Sequence, residues 1–211
     1  MKFTTSLIFG IICLLSLNSF AQTWGVNAGT TFSKEVFGND NGENEYKSGW
    51  QIGIIFEYDI QKSLQFETGL EIVSKGMKFS DVDNEYHSVY KTSLNYIDVP
   101  TAIKIKGKLY KDFDFFVKGG LYIGLGISGK LESSYLTLST DYRNTNIQNV
   151  EWGDNTLNRI DYGPILGVGL EYIQFQIGVT YKYGLINVPV QIEERGNLYN
   201  RSFTILFGMT F

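Results

Sequence analysis

The one histidine of the chain, His87, stands beside Ser88, the residue types from which a hydrolytic base and nucleophile are made. Nucleophilic catalysis also needs an acid to orient the base and donors for the oxyanion, all in register. Two neighbours in one polar segment supply none of that. Asp81, Asp83 and Glu85 in "DVDNE" have the alternate spacing that opens a calcium loop. Tyr86 holds the position where such a loop needs glycine, and no Glu closes it at the twelfth residue. "NDNGENE" at 39–45 reads the same way, as a solvated acidic stretch. "GLGISG" at 124–129 matches a dinucleotide-binding fingerprint letter for letter. That mechanism requires a following helix, whereas "KLESSYLTLST" follows, rich in Ser, Thr and Tyr. The expectation is no catalytic residue, no cofactor and no metal, with the glycines making room in a crowded interior.

A second set of chemically active residues recurs at every other position. Glu57, Glu67, Glu71, Asp98, Asp114 and Glu171 share strand parity with Lys104, Lys106, Lys118 and Lys182 and with many glycines. The opposite parity reads Trp50, Ile52, Ile54, Phe56, Tyr58 in one segment and Phe175, Ile177, Val179, Tyr181, Tyr183 in another, with no charge. Alternate side chains of a strand point to opposite faces, so one face is apolar and the other ionic. A charge facing lipid costs about 2–4 kcal/mol near the midplane for Lys or Arg, so the ionic face is expected to line a lumen. Carboxylates and lysines would pair there, because unpaired buried charge is expensive. A lumen filled in this way is plugged; an open or gated one would make the protein a small-solute channel or binder.

The elements that must position these residues are strands of about ten residues. Eight can be counted: 24–32, 48–58, 63–74, 94–106, 113–128, 160–172, 174–184 and 201–211. Their connections alternate strictly between short and long, the long ones at 33–47, 75–93, 129–159 and 185–200. Bacterial outer-membrane barrels have this alternation of short periplasmic turns and long extracellular loops. Trp24, Tyr58, Phe113, Tyr172, Phe175 and Phe211 fall beside the short turns; Trp50, Tyr162, Tyr183 and Phe203 fall near the long loops. Such rings mark the two membrane interfaces. The last segment, "FTILFGMTF", has to pair with the first, because an open sheet edge is not viable in lipid. The fold class expected is all-β: an eight-stranded antiparallel up-and-down transmembrane β-barrel, a closed monomer.

Ahead of this domain, Lys2, the apolar run "SLIFGIICLLSL" at 6–17 and "NSFAQ" fit a signal peptide over residues 1–21, cut after Ala21. The barrel domain is then 22–211, and Cys13, the only cysteine, leaves with the leader. The chain has 23 Gly, 15 Phe and 14 Tyr but only 3 Pro, and a net formal charge of −4. That balance, without a basic stripe, excludes nucleic acid as a partner.

Five stretches resemble the PorT-like outer-membrane β-barrels of Bacteroidota, similar in architecture to the small OmpA and OmpX barrels. They are "SLQFETGLEIVSKGMKF" (63–79), "YIDVPTAIKIKG" (96–107), "DYGPILGVGLEY" (161–172), "YKYGLINV" (181–188) and "FTILFGMTF" (203–211). The "AQ" at 21–22 is a usual cleavage context in that family. The resemblance implies the barrel fold and no shared catalytic residues. It also implies a C-terminal signal, Phe207, Met209 and Phe211, read by the barrel-assembly machinery. The expected location is the outer membrane of a Gram-negative bacterium, in contact with its lipid and lipopolysaccharide. The expected role is non-enzymatic: structural, adhesive or accessory to secretion or assembly, with secretion-system or extracellular protein partners met through the long loops. Further alternatives are a lipid-modifying enzyme using His87 and a soluble periplasmic barrel with its apolar face inward, the latter at odds with the aromatic strand ends.

Overall fold

In the computed structural model, the described residues are 22–37, 45–82, 86–137, 142–150, 152, 157–188 and 198–211. The expected leader at 1–21, residues 39–44 of the first acidic stretch, and Asp83 and Glu85 of the second lie outside them. Among the described residues nine strands follow one another: β1 (Gln22–Phe37), β2 (Lys47–Gln61), β3 (Leu64–Val82), β4 (Tyr86–Tyr110), β5 (Phe113–Thr137), β6 (Tyr142–Asn149), β7 (Ile160–Tyr172), β8 (Phe175–Asn187) and β9 (Leu198–Thr210). Their order in the sheet is β4-β3-β2-β1-β9-β8-β7-β5-β6, and β4 pairs with β5 as well. Eight strands therefore close an antiparallel ring, and β6 is a ninth outside it. The seam between the first and last ring strands runs from Gly25↔Thr210 to Phe37↔Leu198. It is extended by mutual hydrogen bonds between Trp24 and Phe211.

At one end the strands are joined by two-residue turns at 62–63, 111–112 and 173–174, set by the pairs Gln61↔Leu64, Tyr110↔Phe113 and Tyr172↔Phe175. Tight hairpins that match the twist of their strands need positive φ in the turn. Lys111 (φ 42°) and Ile173 (φ 57°) adopt it, the latter a β-branched residue for which this conformation is strained.

At the other end the strands run well past the segments visible as alternation. Of the stretch 75–93, expected as a loop, the described residues 75–82 and 86–93 continue the β3–β4 hairpin from Lys75↔Leu94 to Val82↔His87. The stretch 129–159, also expected as a loop, contains the end of β5 and all of β6, paired from Lys130↔Asn149 to Thr137↔Tyr142. β6 takes the place beside β5 that β7 leaves at Leu125↔Ile160. A bulge between Asn95 and Tyr96 marks where the barrel wall passes into this extension. The alternation faded there because both faces of a solvated hairpin tolerate polar residues, not because the strands end.

The faces are inverted relative to a water-soluble protein. Leu121, Ile123, Leu166 and Phe207 are each more than 60% exposed on the outside, while Lys104, Asp98 and Lys75 are fully buried inside. Above the ions, toward the long-loop end, Val73, Leu94, Tyr96 and Val188 form an apolar layer, and Val150, Trp152 and Leu157 pack onto it. The Trp152 ring lies edge-on to Tyr96 at 5.8 Å. It can do so because position 126 is glycine: a methyl group there would collide with the indole.

Candidate functional site in the lumen

Parity places the inward side chains in two tiers. In the tier toward the short turns, Lys104 from β4 is the hub. Its Nζ donates to Glu57 Oε1 of β2 (2.7 Å), to Glu171 of β7 and to Gln176 Oε1 of β8 (3.3 Å), and lies 3.9 Å from Glu67 of β3. The Phe116 ring closes its remaining side, 4.3 Å from Nζ. Lys106 pairs with Glu171 at 2.5 Å and Glu57 at 3.8 Å, and Lys118 with Glu67 at 2.5 Å. Three lysines thus face three glutamates, the six contributed by five different strands. Asp114 stands apart from this group, at the rim, 3.4 Å from the exposed Lys108.

In the tier above, Lys182 of β8 binds Glu71 and Asp98, both at 2.8 Å. Lys75 of β3 binds Asp98 at 3.0 Å and Asp161 of β7 at 3.1 Å. The same Asp161 oxygen accepts from Tyr122 Oη (3.0 Å) and Asn200 Nδ2 (3.1 Å). The rings of Tyr96 and Tyr122 lie 4.8 and 4.6 Å from the Lys75 ammonium, a favourable setting for a desolvated cation. Here two lysines meet three acids.

Glu35 adds a further acid at the mouth. It lies three residues beyond Phe32, whose ring stacks on Phe203 at 4.9 Å in the loop-end aromatic rim, so it is outside the membrane-spanning part of β1. Only 3% of it is exposed. Burial, reinforced by the negative charge of Asp161, pushes its carboxyl up to about 7.

The ten charges singled out in sequence are therefore distributed as nine in the two tiers and Asp114 at the rim. The tiers also contain Lys75, Asp161, Tyr122, Tyr96 and Asn200, which were not singled out. Parity could have found four of them: Lys75 has the parity of Glu67 and Glu71, Asp161 that of Glu171, Tyr122 that of Lys118, and Tyr96 that of Asp98 and Lys104. At "SKG" the apolar half of the alternation lapses, so in sequence Lys75 reads as a loop residue although its inward parity continues that of Glu71. A cavity of about 20 Å³, lined by Asn27, Glu67, Lys118, Gln176 and Thr180 among others, has room for one water.

Of the motifs with chemical overtones, "GLGISG" lies within β5, with Gly126 beneath Trp152 and Gly129 against Leu94 and Val150. His87 is in β4, its backbone opposite Val82 and Leu136. Among the described residues no group of three or more His, Cys, Asp or Glu side chains is arranged to hold a metal ion.

A family model described as outer membrane protein beta-barrel domain matches residues 20–189. No curated protein matches the chain. Among solved structures, it is similar to Ail, the attachment invasion locus protein of Yersinia pestis, in complex with the heparin analogue sucrose octasulfate. The identity is 10% and the TM-score 0.42, over 91% of this chain and 100% of that one. It is similar to Neisserial surface protein A at 12% identity and TM-score 0.45, over 89% and 97% of the two chains. A third similarity is to the outer membrane enzyme PagL, at 10% identity and TM-score 0.34, over 89% and 98%.

Proposed function

Since the chain belongs to the family of outer membrane protein beta-barrel domains, we propose that it works as a closed, non-enzymatic barrel whose function is carried by its extracellular hairpins. The observation that carries this reading is the filled lumen. Both tiers are ion-paired across the ring, and Trp152 caps the apolar layer above them. A solute would have to break several buried ion pairs to pass, and among the described residues Lys75, Lys104, Lys106, Lys118 and Lys182 of the two tiers are each ion-paired, so none of these five is free to act as a nucleophile. What remains is the extension of β3, β4, β5 and β6 beyond the belt, in keeping with an adhesive or secretion- or assembly-accessory role. The five stretches quoted above narrow this to the PorT-like relatives. Its partners would be secretion-system or extracellular proteins, with lipopolysaccharide around a monomeric barrel. Phe207 and Met209 on the outside of β9 and Phe211 just after it are all exposed; they serve as the signal for the assembly machinery. The leader at 1–21 directs export.

Single-channel recording on the folded full chain tests the reading. No conductance steps are expected, and Lys104→Ala is expected to lower stability without opening a channel. Reproducible steps from the unaltered chain would refute the closed barrel and return the small-solute reading.

A further inference from the structure

Two cations sit side by side on the outside of the barrel at its loop end. Lys34 of β1 and Arg201 of β9 are direct cross-strand partners, an arrangement that is destabilising for like charges. They share the parity of Phe32 and Phe203 and so point away from the lumen and its acids. Among the described residues neither has a carboxylate within ion-pair distance, and Glu45, on the neighbouring side of the rim, is engaged by Lys78 at 2.7 Å.

Aromatic rings and carbonyls hold the pair in place instead. The Arg201 guanidinium carbon lies 3.2 Å from the Tyr183 ring centroid, and its Nη1 donates to the carbonyls of Gly184 (2.9 Å) and Asn200 (3.2 Å). Its Nε and Nη2 are left without a protein acceptor among the described residues. The Lys34 ammonium lies 5.0 Å from the Tyr46 ring. A planar donor fork fixed by stacking, beside a flexible ammonium, is suited to a phosphate group.

Depth in the membrane selects the source of that phosphate. Phe203, two residues below Arg201, stacks on Phe32 in the aromatic rim, and such rims lie at headgroup level. We propose that Lys34 and Arg201 form a fixed site for a phosphate of lipid A in the outer leaflet. This rests on the outer-membrane reading above and adds a defined lipid contact to it.

The test uses the folded full chain in phosphatidylcholine vesicles with and without lipid A, reading bound lipid by native mass spectrometry and stability by the temperature at which heat-modifiability is lost. With about 1 kcal/mol for each basic group near an anionic surface, Lys34→Gln/Arg201→Gln should weaken lipid A binding about thirtyfold. Lys108→Gln, at the opposite end, should leave it unchanged. Dephosphorylated lipid A should bind the unaltered chain no better than the double variant binds lipid A. Equal binding by the double variant, or equal binding of dephosphorylated lipid A, overturns the site. Stabilisation by inorganic phosphate alone that matches lipid A would make it a free-anion site and overturn the lipid assignment. Should the double variant not fold, the comparison of the two lipids on the unaltered chain still decides. Failure of the underlying reading would show separately, as failure to insert into vesicles without lipid A.

Discussion

Replacing Lys104 with Met keeps the packing of the stem against Phe116 and removes one charge. The Lys104–Glu57 contact of 2.7 Å corresponds to a gross attraction of roughly 6 kcal/mol at an effective dielectric of 20. The net effect is smaller, because the lysine no longer has to be desolvated. The carboxylates do not lose equally. Glu67 keeps Lys118 at 2.5 Å and Glu171 keeps Lys106 at 2.5 Å, whereas Glu57 is left with Lys106 at 3.8 Å. One surplus negative charge remains, centred on the buried Glu57, and removing one partner of a buried pair costs about 3–5 kcal/mol. Lys104→Met should therefore destabilise the barrel by about that amount. Lys104→Met combined with Glu57→Gln should recover more than half of it, because two lysines then face two glutamates. Urea unfolding in lipid vesicles, followed by the fraction that stays heat-modifiable, measures both. A single-variant loss under about 1 kcal/mol, or a double-variant loss equal to the sum of the two single ones, would refute the assignment of Lys104 as the hub.

Other perturbations probe separate parts of the molecule. Ile173→Asn relieves a β-branched residue at φ 57° and should stabilise the barrel by about 1 kcal/mol, read as a higher urea midpoint; a lower one would count against strain in that turn. Glu35, whose carboxyl is raised from 4.5 to about 7 by burial and Asp161, retains a proton in the folded chain that the unfolded chain releases. Its contribution is thus fully present below about 4.5 and falls by about 3 kcal/mol as pH rises through 7. The unaltered chain should melt higher at pH 5 than at pH 8, and Glu35→Gln should remove most of that difference; an unchanged difference sinks the account. Gly126→Ala should displace the Trp152 ring, giving a red-shifted, more quenchable fluorescence component and a loss of about 1–3 kcal/mol, while unaltered emission would show that Trp152 does not depend on that glycine.

The barrel was legible because its two faces obey opposite rules along every strand. Inward Glu57, Glu67 and Glu71 and outward Ile52, Ile54 and Phe56 cannot be exchanged without putting charge into lipid. Pairings within the lumen were less legible: parity says which side chains face inward, whereas the choice of Glu57, Glu67 and Glu171 around Lys104 depends on the stagger between strands. Asp114 has the inward parity, but as the second residue of β5 it meets solvent and Lys108 instead. The extension was hidden for a different reason. In water neither face of a hairpin has to be apolar, so residues such as Ser80, Ser88 and Ser133 carry no periodic mark, and β6 with its Asn, Thr and Gln reads as a loop.

The seam between β1 and β9 makes the ring dependent on residues that are about as far apart in the chain as this barrel permits. Salt bridges such as Lys182–Glu71 and Lys104–Glu171 span long sequence separations as well. Contacts of that kind form late, because each must first overcome the entropy of closing a long loop. Closure of the wall and the pairing of the most distant enclosed ions are therefore expected late in folding. Until the last strand docks, a half-built sheet holds several charges without partners and two bare edges, so a chain shortened at β9 should stall as an open, aggregation-prone sheet.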